Sequence, residues 1–405
     1  MTLTSFFIDN RRWLAAGALL TFISSFGQTY FISIFAGRIM EEYSLSAGGW
    51  GTLYFAGTLA SGLLMIWAGA LADLFRARFL AIAVMLALVA LCLAMAGNRA
   101  VWLLPIIIFG LRFAGQGMLH HIAMVAMARW YVRARGKAIA VASLGFAFGE
   151  ACLPVVFVAA MGLVDWRWLW VLAAAVTALS IPALAWLLKA ERVPGSEATQ
   201  EAAVGMAGRH WTRREAIADW RFWGLVPLAT VASIFGTALF FQQVHLAEVK
   251  GWSHVGLVAL FPVFTVTSIV VGLIAGVVLD RFGAVRLWWL SPLPMALGFA
   301  MLSFGNSILG AGAAFFFIGV CLGMNATIGT AFWAETYGTN HVGAIKALAT
   351  ALMVIGSAIG PALTGLLIDA GITFPEQMIG IAVYMVVVSL WSGLVTRSIA
   401  AEVTR

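Results

Sequence analysis

GALADLFRAR at residues 69–78 returns 207 residues later as GVVLDRFGAVR at residues 276–286, in a chain of 405 residues. Each copy is a short charged break between long apolar runs. Similar charged turns half a chain apart indicate that the chain contains two homologous halves. Because both halves keep the turn, we expect two membrane bundles that place it on the same, cytoplasmic side.

The composition excludes a soluble protein. Hydrophobic residues make up 62% of the chain and charged residues only 10%, against about 25% charged in an ordinary soluble domain. The 17 Trp and 28 Phe suit lipid-facing and interfacial positions, and the 42 Gly suit close helix packing. We therefore expect an all-α integral membrane protein.

Twelve apolar runs of roughly 20 or more residues can be marked, each long enough to cross a bilayer. Residues 189–221 form a long polar stretch after the sixth run and predict a cytoplasmic linker, its second part an amphipathic helix on the membrane surface. The sequence thus predicts a six-helix bundle over 1–188 and another over 222–405. The runs are 13–36, 48–72, 79–97, 101–127, 138–163, 167–188, 222–247, 254–279, 287–305, 308–334, 343–369 and 377–396.

The basic residues are distributed unevenly among the segments that join these runs. With the N-terminus inside, all but five of the 24 Lys and Arg fall on the cytoplasmic side. The exceptions are Arg38, Arg99, Arg167 and Lys250 on the opposite side and Arg112 within a run. This asymmetry predicts that both termini are cytoplasmic. It also explains the net charge of +7 as a topology signal rather than a nucleic-acid footprint.

The two charged turns resemble the Gly-x-Leu-x-Asp-Arg-x-Gly-Arg-Arg signature of the major facilitator superfamily, which follows helices 2 and 8. The resemblance implies two pseudo-symmetric six-helix bundles and secondary transport by alternating access. It also implies that the charged residues of these turns hold the cytoplasmic side closed in one state. Glu335, at the end of the tenth run, is the expected carboxylate acceptor for the arginines. On this basis the gating residues are Asp73, Arg76, Arg78, Asp280, Arg281, Arg286 and Glu335.

Arg112 is the most costly residue in the chain, because it lies near the middle of the fourth run and cannot lose its proton. It must therefore face a partner or a water-filled cavity. Glu150 on the fifth run reaches a similar depth and is the expected partner. A carboxylate beside a cation can alternate between paired and protonated states, which is what proton coupling needs. A purely structural ion pair is the alternative.

Other polar residues inside the runs are candidates for solute binding. His120 and His121 follow Arg112 and titrate near neutral pH, but adjacent residues on a helix point in different directions, so we expect at most one to act in proton transfer. In the resembled family, helices 1, 4, 7 and 10 line the central path. Carried over to this chain, that places Gln28, Arg112, Gln116, Gln242 and Asn325 in one chamber. Together with these, the solute and coupling candidates include Tyr30, His120, His121 and Glu150.

The start of the fifth run bears on the mode of transport. Trp130-Tyr131 followed by basic residues resembles monocarboxylate and oxalate/formate-type transporters, although the Asp and Arg expected on helix 8 of the monocarboxylate group are missing. Gly136, Gly145 and Gly149 fit the helix 5 signature of drug/proton antiporters, but Glu150 replaces the proline of that signature. Proton-coupled uptake of a small organic anion or zwitterion is the leading hypothesis. Proton-coupled efflux of an amphipathic compound or drug is the alternative.

The sequence lacks the motifs of several other classes of protein. The sequence contains neither a Gly-x4-Gly-Lys-Ser/Thr loop nor a His-Glu-x-x-His zinc motif, and Cys92, Cys152 and Cys321 all lie in apolar runs. We therefore expect a transporter, not an enzyme, without cofactor or metal. The expected partners are a small solute, a proton and the lipid bilayer, with no nucleic acid. We expect a monomer in the bacterial inner membrane.

Overall fold

The computed structural model describes residues 3–131, 134–189 and 204–403, and every regular element in these ranges is a helix. Eleven helices are long and apolar enough to cross a membrane, and a bent pair makes a twelfth span. This confirms the predicted all-α membrane fold. In chain order the spans are α1 (Ile8–Gly27 with Thr29–Tyr43), α2 (Ala47–Ala68), α3 (Ala77–Gly97), α4 (Val101–Trp130), α5 (Gly136–Ala160), α6 (Trp166–Leu187), α7 (Trp220–Phe241), α8 (His254–Phe282), α9 (Ala284–Phe304), α10 (Ile308–Tyr337), α11 (Val342–Asp369) and α12 (Phe374–Glu402).

The chain divides into two compact units, Met1–Ala198 and Thr199–Arg405, here called unit 1 and unit 2. In unit 1, α1 packs on α5, α2 on α4 and α3 on α6. The same pairs recur in unit 2, where α7 packs on α11, α8 on α10 and α9 on α12. Each unit therefore has the same internal packing.

The helix boundaries repeat with the spacing of the charged turns. The helices α3 and α9 begin at Ala77 and Ala284, 207 residues apart, and α4 and α10 are both 30 residues long. Ser46 and Ser253, again 207 apart, cap α2 and α8, each accepting a hydrogen bond from the backbone N–H three residues later. Such side-chain caps satisfy N–H groups that the helix leaves unpaired. The two units thus keep a common spacing of 207 residues at these helix boundaries.

Among the spans that depart from regular α geometry are α1, α4 and α10. α1 is broken at Gln28, and its two parts differ in direction by 47°. α4 contains a π-helical segment at Arg112–Leu119, and α10 contains one at Asn325–Gly329. Local π-helical turns are frequent at functional sites. A functional site is therefore expected near these positions.

The part of the linker that the structure describes packs on unit 2. A short helix, Arg213–Ala218, precedes α7, in the second part of the linker where the sequence predicts a helix. Ahead of it, the backbone N–H of Trp211 donates to the carbonyl of Tyr337 at 3.0 Å. A Cβ atom on Gly205 would lie 2.5 Å from the backbone nitrogen of Gly338, so the linker and the end of α10 are in direct backbone contact. Residues 190–203 of the predicted linker lie outside the described ranges.

Candidate functional site

α1 is interrupted in its middle by a buried polar stretch. Ser24–Gly27 forms a 3₁₀ turn, Gln28 is extended with φ −86° and ψ 153°, and the helix resumes at Thr29. Serine and threonine side chains compete for main-chain hydrogen bonds and glycine is a poor helix former, so a break costs less here than in the apolar turns around it. The break leaves main-chain groups without helical partners, and in a membrane bundle the protein itself must bond them.

Arg112 supplies one of these bonds. It is the first residue of the π-helical segment of α4 and is 1% exposed. Its Nη1 donates to the carbonyl of Gly27 at 3.3 Å and to Oγ1 of Thr29 at 3.0 Å, so the guanidinium bridges the two sides of the break. Its Nε is buried and has no hydrogen-bond partner among the described residues. A second hydrogen-bonding edge of the cation is therefore free.

Tyr54 on α2 completes the surroundings of the cation. Cζ of Arg112 lies 5.5 Å from the centre of the Tyr54 ring, within the range of a cation–π interaction. The Tyr54 hydroxyl lies 2.7 Å from Oγ1 of Thr29, which holds the threonine against Arg112. Among the described residues, the hydrogen bonds of Arg112 end on neutral oxygens and not on a carboxylate. The charge is thus solvated by dipoles and a ring face, and its net positive charge remains available to an anion.

Two glycines let the main chains of α1 and α4 meet beside this cluster. A Cβ atom on Gly27 would lie 2.0 Å from the carbonyl oxygen of Leu111. A Cβ atom on Gly115 would lie 2.6 Å from Cα of Gly27. Neither distance is possible for a real side chain, so this crossing requires glycine on both helices. The contact brings Arg112 within reach of the break in α1.

Glu150 belongs to the α5 side of the same broken segment. A Cβ atom on its neighbour Gly149 would lie 2.1 Å from Oγ of Ser25, so α5 also approaches α1 closely. The hydroxyl of Tyr30 donates to Oγ of Ser25 at 2.8 Å. Glu150 is 8% exposed and acts electrostatically on Tyr30. The break in α1 therefore contacts a cation on α4 and lies within electrostatic range of a carboxylate on α5.

The expected ion pair between Arg112 and Glu150 does not form among the described residues. The hydrogen bonds of Arg112 go to Gly27 and Thr29, whereas the electrostatic neighbour found for Glu150 is Tyr30. Similar depth on sequence-adjacent helices suggested contact, but the unwound part of α1 offers the guanidinium free carbonyl and hydroxyl oxygens. The two charged groups share the broken segment instead of a direct bond.

His120 and His121 point to different neighbours, as expected for adjacent helical residues. The His120 ring packs edge-on against Phe146 with centroids 5.8 Å apart, and Phe146 in turn packs edge-on against Tyr30 at 5.6 Å. Nδ1 of His120 is buried without a hydrogen-bond partner among the described residues. Nε2 of His121 lies 3.1 Å from the carbonyl oxygen of Gly69. His120 thus lies near the broken segment, and His121 braces the charged turn.

The charged turn of unit 1 is bound by side chains from the C-terminal half of α4. Besides His121, Arg129 contacts it, donating from Nη1 to the carbonyl of Ala72 at 3.1 Å. Arg76 is exposed and Arg78 is half-buried. The side chain of Asp73 lies outside the described residues, so its predicted gating role stays a prediction.

The charged turn of unit 2 is organised differently from our expectation. Glu335 accepts hydrogen bonds from the backbone N–H groups of Ala284, at 2.6 Å, and Val285, at 3.4 Å. It therefore caps the start of α9, where unpaired N–H groups favour a carboxylate, and it forms no ion pair with an arginine among the described residues. Asp280, Arg281 and Arg286 are exposed, and the Arg281 guanidinium lies 5.3 Å from the Phe282 ring.

The predicted solute contacts of unit 2 make hydrogen bonds within that unit. Gln242 donates from Nε2 to Oγ1 of Thr364 at 3.1 Å. Oδ1 of Asn325 accepts from Nε1 of Trp288 at 2.8 Å and from Oγ of Ser291 at 3.4 Å. These bonds join α7 to α11 and α10 to the start of α9.

In unit 1 the structure brings Gln28, Tyr30, Arg112 and Glu150 together at the broken segment, while Gln116 lies one turn beyond Arg112 and is partly exposed. Ser25, Gly27, Thr29, Tyr54 and Gly115 complete this cluster and were not among the predicted site residues. The available signal was a polar, glycine-containing run inside an apolar helix.

Two open clefts lie at another end of unit 1, with volumes of about 520 and 730 Å³. Both are lined by Glu42 and by residues of the turn before α6. Arg167 forms an ion pair with Glu42 between them. Neither cleft is lined by Arg112 or its partners, so we do not place the solute site there.

Comparison with known proteins identifies the fold. The sequence model of the Major Facilitator Superfamily matches residues 17–361 and 259–401. The chain belongs to the major facilitator superfamily. No curated protein matches its sequence significantly. This facilitator is a multi-pass membrane transporter of a small solute, not an enzyme.

Solved structures share the fold of this facilitator at low sequence identity. A bacterial homologue of the human lysosomal transporter Spinster, in an inward-facing and unoccupied conformation, is 19% identical, with a TM-score of 0.75 over 96% of this chain and 97% of that chain. The nucleoside transporter NupG is 14% identical, with a TM-score of 0.70 over 95% of this chain and 98% of that chain. At these identities the likeness concerns the fold and not the solute.

Proposed function

We propose that this facilitator takes up a small organic anion or zwitterion by proton-coupled alternating access, and that Arg112 binds the acidic group of the solute. The observation that carries the proposal is the buried guanidinium at the break in α1. Its Nε is free, and its hydrogen bonds among the described residues end on neutral oxygens. Discontinuous helices are where many secondary transporters bind solutes and coupling ions.

The electrostatics of Arg112 favour an anion. Placing an arginine at the centre of a bilayer costs roughly 2.5–3.5 kcal/mol on insertion scales. Thr29 and Gly27 engage Nη1 alone, which leaves the edge formed by Nε and Nη2. That edge matches the two oxygens of a carboxylate and binds them with two parallel hydrogen bonds. A carboxylate solute would therefore supply the negative charge that the hydrogen-bond partners of Arg112, a carbonyl and a hydroxyl, lack.

Glu150 is the proposed proton-coupling residue. Its protonation would remove a negative charge next to Tyr30 and weaken its influence on the Ser25–Tyr30 side of the break. Arg112 holds the Gly27–Thr29 side. Because both groups act on the same six-residue stretch of α1, residues 25–30, proton binding and solute binding would be coupled through the backbone of the broken helix. His120 is a second candidate for carrying the proton, since its ring is linked to Tyr30 through Phe146.

Residues of α4 and α5 support a proposal for the subfamily and for the direction of transport. Uptake by a protein akin to the monocarboxylate and oxalate/formate-type branch is supported by the Trp130-Tyr131 pair and by Arg112 as the cation. Proton-coupled efflux of an amphipathic compound or drug remains the second candidate, supported by Gly145 and Gly149, whose backbones press against α1. Glu150 in place of the antiporter proline speaks for uptake.

We further propose a monomer in a bacterial inner membrane with both termini in the cytoplasm. The Lys and Arg distribution supports this orientation. Cysteines introduced at Gly97 and Thr212 should then react with an impermeant thiol reagent from opposite sides of the membrane. Reaction from the same side would contradict the orientation and the helix count between them.

Transport in proteoliposomes tests the proposed function. With a panel of radiolabelled carboxylates and amino acids, the wild type should accumulate at least one solute when a proton gradient is imposed. Glu150→Gln should keep exchange of preloaded solute but lose gradient-driven accumulation, because its side chain resembles a permanently protonated carboxyl. Arg112→Ala should lose both activities. Arg112→Lys should recover little, because an ammonium cannot bind a carboxylate in the fork geometry of arginine.

A structural role for the two residues predicts a different pattern. Both single variants would then fold poorly, and the double variant Arg112→Gln/Glu150→Gln would recover stability together with full gradient-driven transport. Activity of that double variant would remove both residues from the mechanism.

A further inference from the structure

The end of the linker forms a fixed platform on unit 2. Met206 is fully buried and Trp211 is 7% exposed. Thr212 and Glu215 cap the short helix Arg213–Ala218 reciprocally: the backbone N–H of Thr212 donates to the Glu215 carboxylate at 2.8 Å, and Oγ1 of Thr212 accepts from the backbone N–H of Glu215 at 3.4 Å. Hydrogen bonds to the carboxylate from the Thr212 backbone N–H and hydroxyl, and then from Arg209, lower the pKa of Glu215 to about 2. The helix is thus pinned at its start, and its side chains have defined positions.

The arginines of this platform fall into two pairs with different environments. Arg209 bonds the Glu215 carboxylate at 2.6 Å. Arg221 bonds Asp219 at 2.7 Å and Glu402 at 2.8 Å, so it too is neutralised. Arg213 and Arg214, in contrast, are exposed and form no ion pair with any described residue. Within the part of the chain that the structure describes, the short helix thus carries two adjacent arginines that no carboxylate pairs.

Large apolar side chains are exposed directly after these arginines. Trp220 is 57% exposed, Trp223 is 51% exposed and Ile217 is 36% exposed. Nε1 of Trp223 donates to the carbonyl of Ile217 at 2.8 Å, which ties the start of α7 to the short helix. Tryptophan at the end of a spanning helix is typical of the boundary between lipid headgroups and acyl chains. The arginines are therefore held at headgroup depth.

We propose that the linker patch, defined as Arg213, Arg214, Ile217, Trp220 and Trp223, binds the headgroup of an anionic phospholipid. The unpaired guanidinium groups contact the phosphodiester, and the two indoles pack along the first carbons of the acyl chains. Guanidinium groups bind phosphate oxygens through charge-assisted hydrogen bonds. The exposed indoles beside them favour a lipid over a free phosphate ion, which has no apolar part to bury.

Lipid binding at this patch acts on unit 2 through the platform. The patch is joined through Trp211 to the carbonyl of Tyr337 at the end of α10. A bound lipid would therefore hold the end of the linker against unit 2. The site is separate from the break in α1, so its occupation does not depend on the proposed solute site.

Native mass spectrometry of the purified full-length protein tests the proposal. The protein in a neutral detergent is titrated with phosphatidylglycerol or phosphatidylcholine of the same chain length. We expect phosphatidylglycerol to bind preferentially and the variant Arg213→Gln/Arg214→Gln to bind it roughly tenfold or more weakly, given the usual contribution of each basic residue near an anionic surface. The variant Arg11→Gln/Arg99→Gln, which removes two exposed arginines elsewhere, should bind it as the wild type does.

The remaining outcomes separate the sources of the effect. Inorganic phosphate at millimolar concentration should neither compete with phosphatidylglycerol nor raise the melting temperature, and competition would show that the patch binds a free ion. Trp220→Ala/Trp223→Ala should weaken phosphatidylglycerol binding while the melting temperature in phosphatidylcholine stays near that of the wild type. The proposal is overturned if Arg213→Gln/Arg214→Gln binds phosphatidylglycerol like the wild type, or if the control variant loses as much.

Discussion

The broken segment of unit 1 and its counterpart in unit 2 have the same scaffold and different chemistry. α1 is broken at Gln28, whereas α7 continues as a helix through the equivalent position. Most polar or charged residues at the break of unit 1 have a less polar counterpart 207 positions later. Gln28, Tyr54, Arg112 and Glu150 correspond to Phe235, Phe261, Gly319 and Ser357. The site was therefore built into one half of a duplicated fold.

The features that the two units share are those that shape the helices. Pro154 and Pro361 lie 207 residues apart inside α5 and α11. Gly149 and Gly356 are equivalent and bring these helices close to α1 and α7. A feature repeated in both units thus shapes the fold. A buried charge that is found in only one unit, and that destabilises the protein there, indicates a function. This comparison singles out Arg112 without any knowledge of related sequences.

The largest expected effect concerns the glycine crossing of unit 1. Gly115→Leu should lose most of its folded protein, because the side chain would meet the backbone of Gly27 and neither helix can move without breaking the bonds of Arg112. The counterpart of Gly115 in unit 2 is Leu322, which the scaffold accommodates. Gly380→Leu, at a position with open space, is the control. Equal melting temperatures for the two variants in detergent would show that the crossing is not required.

A smaller effect should separate structural from binding residues. Asn325→Leu leaves the indole N–H of Trp288 without its acceptor, at a cost of about 1–3 kcal/mol in stability. Its affinity for a transported solute should stay near the wild-type value. Gln116→Leu should show the reverse pattern, because Gln116 makes no side-chain hydrogen bond among the described residues and is partly exposed near Arg112. Thermal melts and binding isotherms on both variants decide the point, and loss of affinity in Asn325→Leu would assign solute contacts to unit 2.

Tyr54→Phe converts one site residue to its counterpart in unit 2. The change removes the hydroxyl that contacts Oγ1 of Thr29 but keeps the ring beside Arg112. A neutral hydrogen bond contributes about 1 kcal/mol, so solute affinity should fall roughly fivefold. Tyr384→Phe, on a partly exposed tyrosine of α12, is the control. An unchanged affinity would mean that Tyr54 does not position the cation.

The smallest effect is a pH dependence at the linker platform. Hydrogen bonds from the Thr212 backbone and hydroxyl, and then from Arg209, lower the pKa of Glu215 to about 2. A carboxyl whose folded pKa lies below its unfolded value of about 4.3 stabilises the fold fully above that value and loses this contribution as the pH falls toward 2. The melting temperature of Glu215→Gln should therefore lie slightly below that of wild type at neutral pH. The difference should narrow as the pH is lowered through 4, and a constant difference would contradict the assignment.

The sequence was sufficient for the architecture because length and hydropathy determine it. The charged turns at Gly69 and Gly276 revealed the duplication, and apolar runs of sufficient length predicted the spans. These signals are local, and a bilayer allows few alternatives to a helix for an apolar run of that length. The family match and the repeated helix boundaries agree with them.

The site was only partly predictable, because its contacts are not local. The hydropathy of the run at 13–36 does not show that the helix breaks at Gln28, since hydropathy reports apolar length and not main-chain hydrogen bonding. Only the polar, glycine-containing stretch inside the run points to the break. The break is stabilised by Arg112, more than 80 residues later, through backbone and hydroxyl oxygens that no charge pattern reveals. Pairing Arg112 with Glu150 followed from charge complementarity alone, and Glu335 was assigned to arginines for the same reason. In both cases the charged side chain bonds main-chain groups instead of an opposite charge: Arg112 bonds a carbonyl at a helix break, and Glu335 bonds N–H groups at a helix start.

Ligand-dependent melting temperatures test most directly the claim that Arg112 is the anion-binding group of the solute site. Purified wild type, Arg112→Gln and the exposed control Arg99→Gln are each titrated with acetate, lactate, oxalate, glycine and the neutral solute glycerol. We predict that at least one carboxylate raises the melting temperature of the wild type and of Arg99→Gln, with no rise in Arg112→Gln and none with glycerol for any protein. A carboxylate that stabilises Arg112→Gln as much as the wild type would contradict the account.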